Sequence, residues 1–251
     1  MNEHPCVLTQ PLTIPVFSSE SETLAKIIAS KKEQKLGQWM KLSPKLAAQT
    51  HERFQQLADN KAQEKAAIFS YSGEVYTGLN ASSFDKKDLE FAQDHIRILS
   101  GLYGLLRPLD AIYPYRLEMG ITKINIKIPN LYSYWADKIA RSLEVDMKTG
   151  NHNCLINLAS DEYFTCIDKY FSLPVIQVRF NEYREGKLRF VSTFAKKARG
   201  LMGQFIIKAK LKKPADLKSF DLEGYKFDAS LSDKSNLMLR DELSIKMPIL
   251  I

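Results

Sequence analysis

Two hydrophobic periods, one near 3.6 residues and one of 2, follow each other along this chain in no regular order. That irregular succession is what most narrows its possible folds. Leu24, Ile27 and Ile28 recur at helical spacing ahead of a basic Lys31-Lys32 turn. Ser43-Pro44, a cap followed by a first-turn proline, opens a second helix through Leu46, Ala47, His51, Phe54 and Leu57. From Ala66 the pattern reads as strand, with Ile68, Phe69 and Tyr71 before a Ser72-Gly73 turn and Val75, Tyr76 and Thr77 after it. Asp85, with Asp88 three residues on, caps a helix expected to run through Leu89, Phe91, Ala92, Ile96 and Leu99 to about Gly101.

Beyond a proline-marked stretch, Asn130 caps an amphipathic helix bearing Leu131, Tyr134, Trp135, Ile139 and Leu143. Asn153 to Ala159 reads as a short buried strand. Val175–Tyr183 and Lys187–Phe194 read as a hairpin around Arg184-Glu185-Gly186. A last long helix is expected from about Ala195 to Lys213, stopping before Pro214. Mixed helices and strands without a βαβ period predict an α+β fold rather than a doubly wound one. With no linker and no internal repeat, residues 1–251 read as a single domain, with 1–20 and 231–251 as loosely packed extensions.

Composition enters where it excludes classes. An apolar share of 45% against 26% charged is globular and argues against disorder. Cys6, Cys154 and Cys166 cannot all pair within the chain and none has a metal-ligand spacing, which suits a reduced, intracellular protein. His4, His51, His95 and His152 are scattered, so neither a metal site nor a cofactor is expected. No window approaches the ~18 apolar residues of a membrane span, so no membrane partner is expected. The formal charge of +7 favours an anionic partner.

Four segments could carry chemistry. In Leu99-Ser100-Gly101-Leu102-Tyr103-Gly104-Leu105-Leu106-Arg107 two glycines lie three apart. A tight helix-hairpin-helix turn there could aim N–H groups at a phosphate, with Arg107 as a forked donor, or the glycines could simply cap a helix. Phe194 to Lys213 carries Lys196, Lys197, Arg199, Lys208, Lys210, Lys212 and Lys213 with no acid among them. Cations in the first turn of a helix oppose its dipole, so Lys196, Lys197 and Arg199 point to an anion, beside the alternative of a solvated face. Asp161 and Glu162 follow the buried strand, where Ser160-Asp161 could cap a helix or the two acids could act as acid/base groups or Mg²⁺ ligands. Finally, Tyr113-Pro114-Tyr115-Arg116-Leu117-Glu118-Met119-Gly120 suits either a surface that stacks on bases or a buried Arg116–Glu118 pair.

Gly73-Glu74-Val75-Tyr76-Thr77-Gly78-Leu79, Leu99 to Asp110, Pro114 to Gly120, Asn157 to Tyr163 and Ala195-Lys196-Lys197-Ala198-Arg199-Gly200 resemble, in order and spacing, the motifs of the bacterial YaaA peroxide-stress family. The resemblance implies a cytoplasmic protein of the hydrogen peroxide response that limits free intracellular iron and protects DNA. It also implies an unusual single-domain α+β fold with a basic cleft and a DNA-binding helix-hairpin-helix element. Family members open with a short apolar strand and a Ser-Pro-Ala-Lys-Thr motif, neither of which Met1 to Pro15 holds. Either Met1 lies downstream of the ancestral start or that strand has been lost.

The expectation is therefore a DNA binder largely indifferent to base sequence. Gly101, Gly104, Arg107, Arg116, Lys196, Lys197, Arg199 and Gly200 are its candidate phosphate contacts. The alternative is an enzyme acting on a nucleotide or damaged nucleic acid, with Asp161 or Glu162 as acid/base.

Overall fold

A computed structural model describes residues 1–2, 10–59 and 63–241. The helices are α1 (Ser18–Ala29), α2 (Glu33–Met40), α3 (Pro44–Ala58), α4 (Ala67–Ser70), α5 (Glu74–Leu79), α6 (Lys86–His95), α7 (Leu131–Thr149), α8 (Asp161–Phe164) and α9 (Ser192–Lys208). The strands are β1 (Lys65–Ala66), β2 (Ile98–Ser100), β3 (Gly104–Leu106), β4 (Ala111–Ile112), β5 (Leu155–Asn157), β6 (Val175–Arg184), β7 (Lys187–Arg189), β8 (Tyr225–Phe227) and β9 (Asn236–Asp241). The fold is α+β. Its residues cluster into two compact units threaded by one chain: Met1–Tyr71, Ala92–Gly150 and Ser160–Ser172 make the first, and Ser72–Phe91, Asn151–Ala159 and Leu173–Ile251 the second.

In the first unit, α1 buries Leu24, Ala25 and Ile28, and α3 buries Ala47, Phe54 and Leu57. Ser43 caps α3 by accepting the Leu46 N–H (3.4 Å), with Pro44 pre-set at the first helical position. Between α2 and α3 the chain turns in three residues. Lys41 adopts a left-handed conformation (φ 54°), and the Leu42 N–H donates back to the Gly37 carbonyl (2.8 Å). A methyl group at Gly37 would lie 3.2 Å from the Ala47 side chain, so glycine lets α2 approach α3 closely. Asn130 caps α7 as expected, accepting the Ser133 N–H (2.7 Å). Trp135 from α7 is fully buried, and its Nε1–H donates to the Gly101 carbonyl (2.9 Å).

The Gly101–Gly104 segment departs from expectation. It is the turn of an antiparallel β2–β3 hairpin, with Ile98 opposite Leu106 and Ser100 opposite Gly104, and no helix flanks it as a helix-hairpin-helix would require. The helix expected to run to Leu99 stops at His95. Beyond it, Ser100 to Leu106 is buried in full, a demand that paired strands meet.

The second unit is a five-stranded sheet ordered β5-β6-β9-β8, with β7 paired to the far end of β6. The expected β6–β7 hairpin is present, and Glu185 (φ 52°) and Gly186 (φ 72°) both take positive φ, as a two-residue hairpin turn demands. β6 runs parallel to both β5 and β9. Val178, Phe180, Leu237 and Leu239 of the sheet pack on Ala195, Ala198, Leu201 and Met202 of α9. Asn236–Asp241, expected in a loose tail, is thus an interior strand; residues 242–251 lie outside the described ones.

Two apolar runs expected as strands, Ile68–Tyr71 and Val75–Thr77, contribute instead to helices α4 and α5. The β-branched residues of α5 are overridden by packing. A Cβ at Gly78 would meet the Lys197 carbonyl at 2.2 Å, and one at Gly200 would meet the Val75 carbonyl at 1.9 Å. Glycine at both positions brings the α5 and α9 backbones into direct contact.

Candidate nucleic-acid interface

Among the described residues of the first unit, exposed positive charge gathers around the α2–α3 turn. Lys31 to Lys45 holds five lysines and one acid, Glu33. Lys32, Lys35, Lys41 and Lys45 are exposed, and no ion pair holds any of the four among the described residues. Trp39 ties this element to the loop ahead of α7: its Nε1–H donates to the Thr122 carbonyl (2.5 Å), and the Lys31 ammonium lies 5.5 Å from its ring centroid. That loop, Ile121 to Asn130, adds Lys123 and Lys127 and no acid. The start of α3 contributes further, since a 15-residue helix presents partial positive charge at its first turn.

In the second unit, α9 starts at Ser192, three residues earlier than the spacing suggests. Lys196, Lys197 and Arg199 therefore stand beyond its first turn, where the helix dipole no longer disfavours a cation. Carboxylates occupy several α9 cations. Lys197 pairs with Glu223 (2.6 Å), while Lys208 (2.6 Å) and Lys210 both bind Asp88. Burial disfavours the charge on Asp88, but hydrogen bonds from the two lysines outweigh it and hold the carboxyl at about 2. Asp88 also closes the expected capping box: its N–H donates to Asp85 Oδ1 (2.8 Å), and the Asp85 N–H returns to Asp88 Oδ2 (3.2 Å). Lys196, Lys212 and Lys213 remain exposed.

The family model for peroxide stress protein YaaA matches residues 1–231. This chain belongs to the YaaA peroxide stress family. Among similar proteins, a UPF0246 protein of Phenylobacterium zucineum is 42% identical over 223 residues, covering 88% of this chain and 84% of that protein. A UPF0246 protein of Clostridium botulinum is 42% identical over 235 residues, covering 92% and 91%. Membership of this family supports a role in peroxide stress.

Other residues singled out in this family member have structural employment. Gly101 is wedged under Leu117, whose carbonyl would lie 2.2 Å from an added Cβ. Gly104 takes φ 67° and faces the Trp135 ring. Gly200 serves the α5–α9 contact described above. Arg107 shares Asp146 with Arg97, at 3.2 Å and 2.6 Å, on the wall of a cavity of about 230 Å³ that Asp110 also lines. Burial raises the Asp110 carboxyl above its ordinary range, against the lowering effect of the Thr13 hydroxyl that donates to it (2.6 Å).

Arg116 does pair with Glu118 (2.9 Å), but at the surface rather than in the core. Tyr115 is the buried aromatic of that motif, its hydroxyl within hydrogen-bonding distance of Ser100 (2.6 Å) and Tyr71 (2.9 Å), so it presents no face to a base. Asp161 and Glu162 are both exposed in the first turn of α8. Ser160 precedes them as the cap residue without a side-chain bond, and Glu162 Oε1 accepts the Gly120 N–H (3.0 Å).

Burial pushes the Cys166 thiol to about 11 and raises Cys154 as well, so neither is an activated thiol. Among the described residues no three His, Cys, Asp or Glu side chains gather to hold a metal, and no helix is long and apolar enough to cross a membrane. His4 and Cys6 lie outside the described residues. Sequence reasoning missed the α2–α3 lysines because they are diluted among apolar helix positions. Their signal was the ratio of five lysines to one acid between Lys31 and Lys45.

Proposed function

We propose that this protein binds duplex DNA through its phosphates, with little regard to base sequence, in the response to hydrogen peroxide. In this reading it also protects DNA and lowers free intracellular iron. The observation that carries the DNA reading is the exposed lysine set Lys32, Lys35, Lys41 and Lys45 around a tight helix–turn–helix, none of them held in an ion pair among the described residues. Lysines act on phosphate as point charges and read no base edges, which suits sequence-independent binding. On the second unit, taken by itself, Lys196 of α9 is exposed and is a further contact in this reading, and Lys197 contributes less because Glu223 already neutralises it.

Fluorescence anisotropy with two unrelated labelled duplexes over a salt series tests the proposal. Each lysine that neutralises a phosphate contributes about −0.9 to the slope of log affinity against log salt. Lys32→Ala, Lys35→Ala, Lys41→Ala and Lys45→Ala should each flatten the slope by about that amount or less, equally for both duplexes. Lys197→Ala should flatten it less than Lys196→Ala. Unchanged affinity and slope in the fourfold variant, with the fold intact by circular dichroism, would remove the α2–α3 turn from the DNA surface.

A further inference from the structure

The loop between Ile121 and Asn130 carries an isoleucine, Ile126, that is wholly exposed (103%). Its neighbours two residues away on either side are the opposite: Ile124 is fully buried and Ile128 nearly so (7%). Between these anchors the backbone is held in place. The Asn125 N–H donates to the Ile128 carbonyl (3.2 Å), and Asn125 Oδ1 accepts the N–H groups of Lys127 (2.9 Å) and Ile128 (2.7 Å). The loop's base is closed by the Thr122–Asn130 bridge and by the Trp39 bond to Thr122. Ile126 is thus a single apolar side chain held out into water on a built turn. Lys123 and Lys127 flank it, and no acid occurs in the loop.

We propose that Ile126 is a wedge that inserts at a base step of duplex DNA, with Lys123 and Lys127 on the phosphates to either side. The proposal rests on the DNA-binding reading and gives that site a second mode of contact. Apolar side chains such as isoleucine open base steps and kink the duplex when nearby cations hold the backbone. A lone exposed isoleucine gains nothing from water, whereas a partly unstacked step offers an apolar slot of about its size and the two lysines match the charge on its rim. One isoleucine is far too little apolar surface for stable membrane anchoring, which takes two lipid-directed signals. The Lys31 to Lys45 element, joined to this loop through Trp39, extends the same polyanion-directed charge.

The test uses the full chain and a duplex carrying 2-aminopurine at a flexible pyrimidine–purine step, with donor and acceptor dyes at its ends. Wild-type protein should raise the 2-aminopurine fluorescence and bring the ends closer together. Ile126→Ala should lose both signals and bind about tenfold more weakly, while Ile126→Leu keeps them. Lys32→Ala should weaken binding yet retain both signals at saturation. Because Ile126 touches solvent alone, the alanine variant should keep its circular dichroism spectrum and melting point.

Wild-type binding with Ile126→Ala signals equal to wild type overturns the wedge and leaves the DNA-binding reading standing. Absence of wild-type binding to any duplex overturns both. Ile126-dependent binding to phosphatidylglycerol vesicles, with DNA signals unaffected by the substitution, also overturns the wedge and assigns the tip to a membrane surface.

Discussion

Asp88 shows how one carboxylate can serve two purposes in the second unit. It closes the N-terminal box of α6 and holds Lys208 and Lys210 from the end of α9. Its folded-state carboxyl lies at about 2 against an ordinary 3.8. A depressed folded value means that the stabilisation is present in full above the ordinary value and is lost as pH falls toward the folded one. Urea denaturation of wild type should therefore show stability declining between about pH 4 and pH 2, and Asp88→Asn should flatten that segment. At neutral pH Asp88→Asn should cost roughly 1 to 3 kcal/mol, because two ammonium groups lose their charged acceptor. Gly104 leaves no room for a side chain. An alanine there takes a positive φ, and its methyl lies 2.6 Å from the Trp135 ring, which cannot yield because it is fully buried and bonded to Gly101. Gly104→Ala should lower stability by about 2 to 4 kcal/mol, read as an earlier urea midpoint at unchanged slope.

Among the elements, α9 is the most constrained. One face packs on the sheet through Ala195, Ala198 and Met202, another meets α5 through Gly200, and its cations occupy what remains. This division explains why a local excess of lysine on α9 is a poor guide to ligand binding: Glu223 and Asp88 consume three of those cations internally. The α2–α3 turn has the opposite character. Its apolar positions, Leu36 and Ala47, are buried, and Lys32, Lys35, Lys41 and Lys45 are held in no ion pair among the described residues. Charge that folding does not use is charge available to a partner, which is why the proposed DNA contact rests on this element.

For the whole molecule, the two units predict how damage spreads. The second unit holds a buried cluster of its own built on β6, β9 and α9, so a packing defect there should open that unit first. Gly200→Ala drives a methyl against the Val75 backbone, which can yield only by separating α5 from α9. Hydrogen exchange should accordingly rise in residues 72–91, 151–159 and 173–241 before it rises in 92–150. A uniform rise across both sets would show that the units open together. The +7 charge acts at this scale too, speeding encounter with polyanions at low salt without setting the fold.

Elements marked by local chemistry could be read directly. Ser43-Pro44, the Asp85/Asp88 pair and Asn130 cap their helices, the Glu185-Gly186 turn makes its hairpin, and α+β follows from the mixture of periods. Each depends on groups a few residues apart, so spacing alone specifies it. Elements decided by distant partners could not. Val75 to Thr77 has the composition of a strand and becomes α5 because Gly200, far along the chain, admits a helix there. Leu99 and Leu105 continue a helical spacing and become strands because they pair with each other. The same holds for the site. Gly101, Gly104 and Gly200 announce close approach in the sequence, but only tertiary structure shows that the approaching group is Leu117, Trp135 or Val75. Likewise, counting lysines finds the charge, whereas the placement of Asp88 and Glu223 decides which lysines are already neutralised.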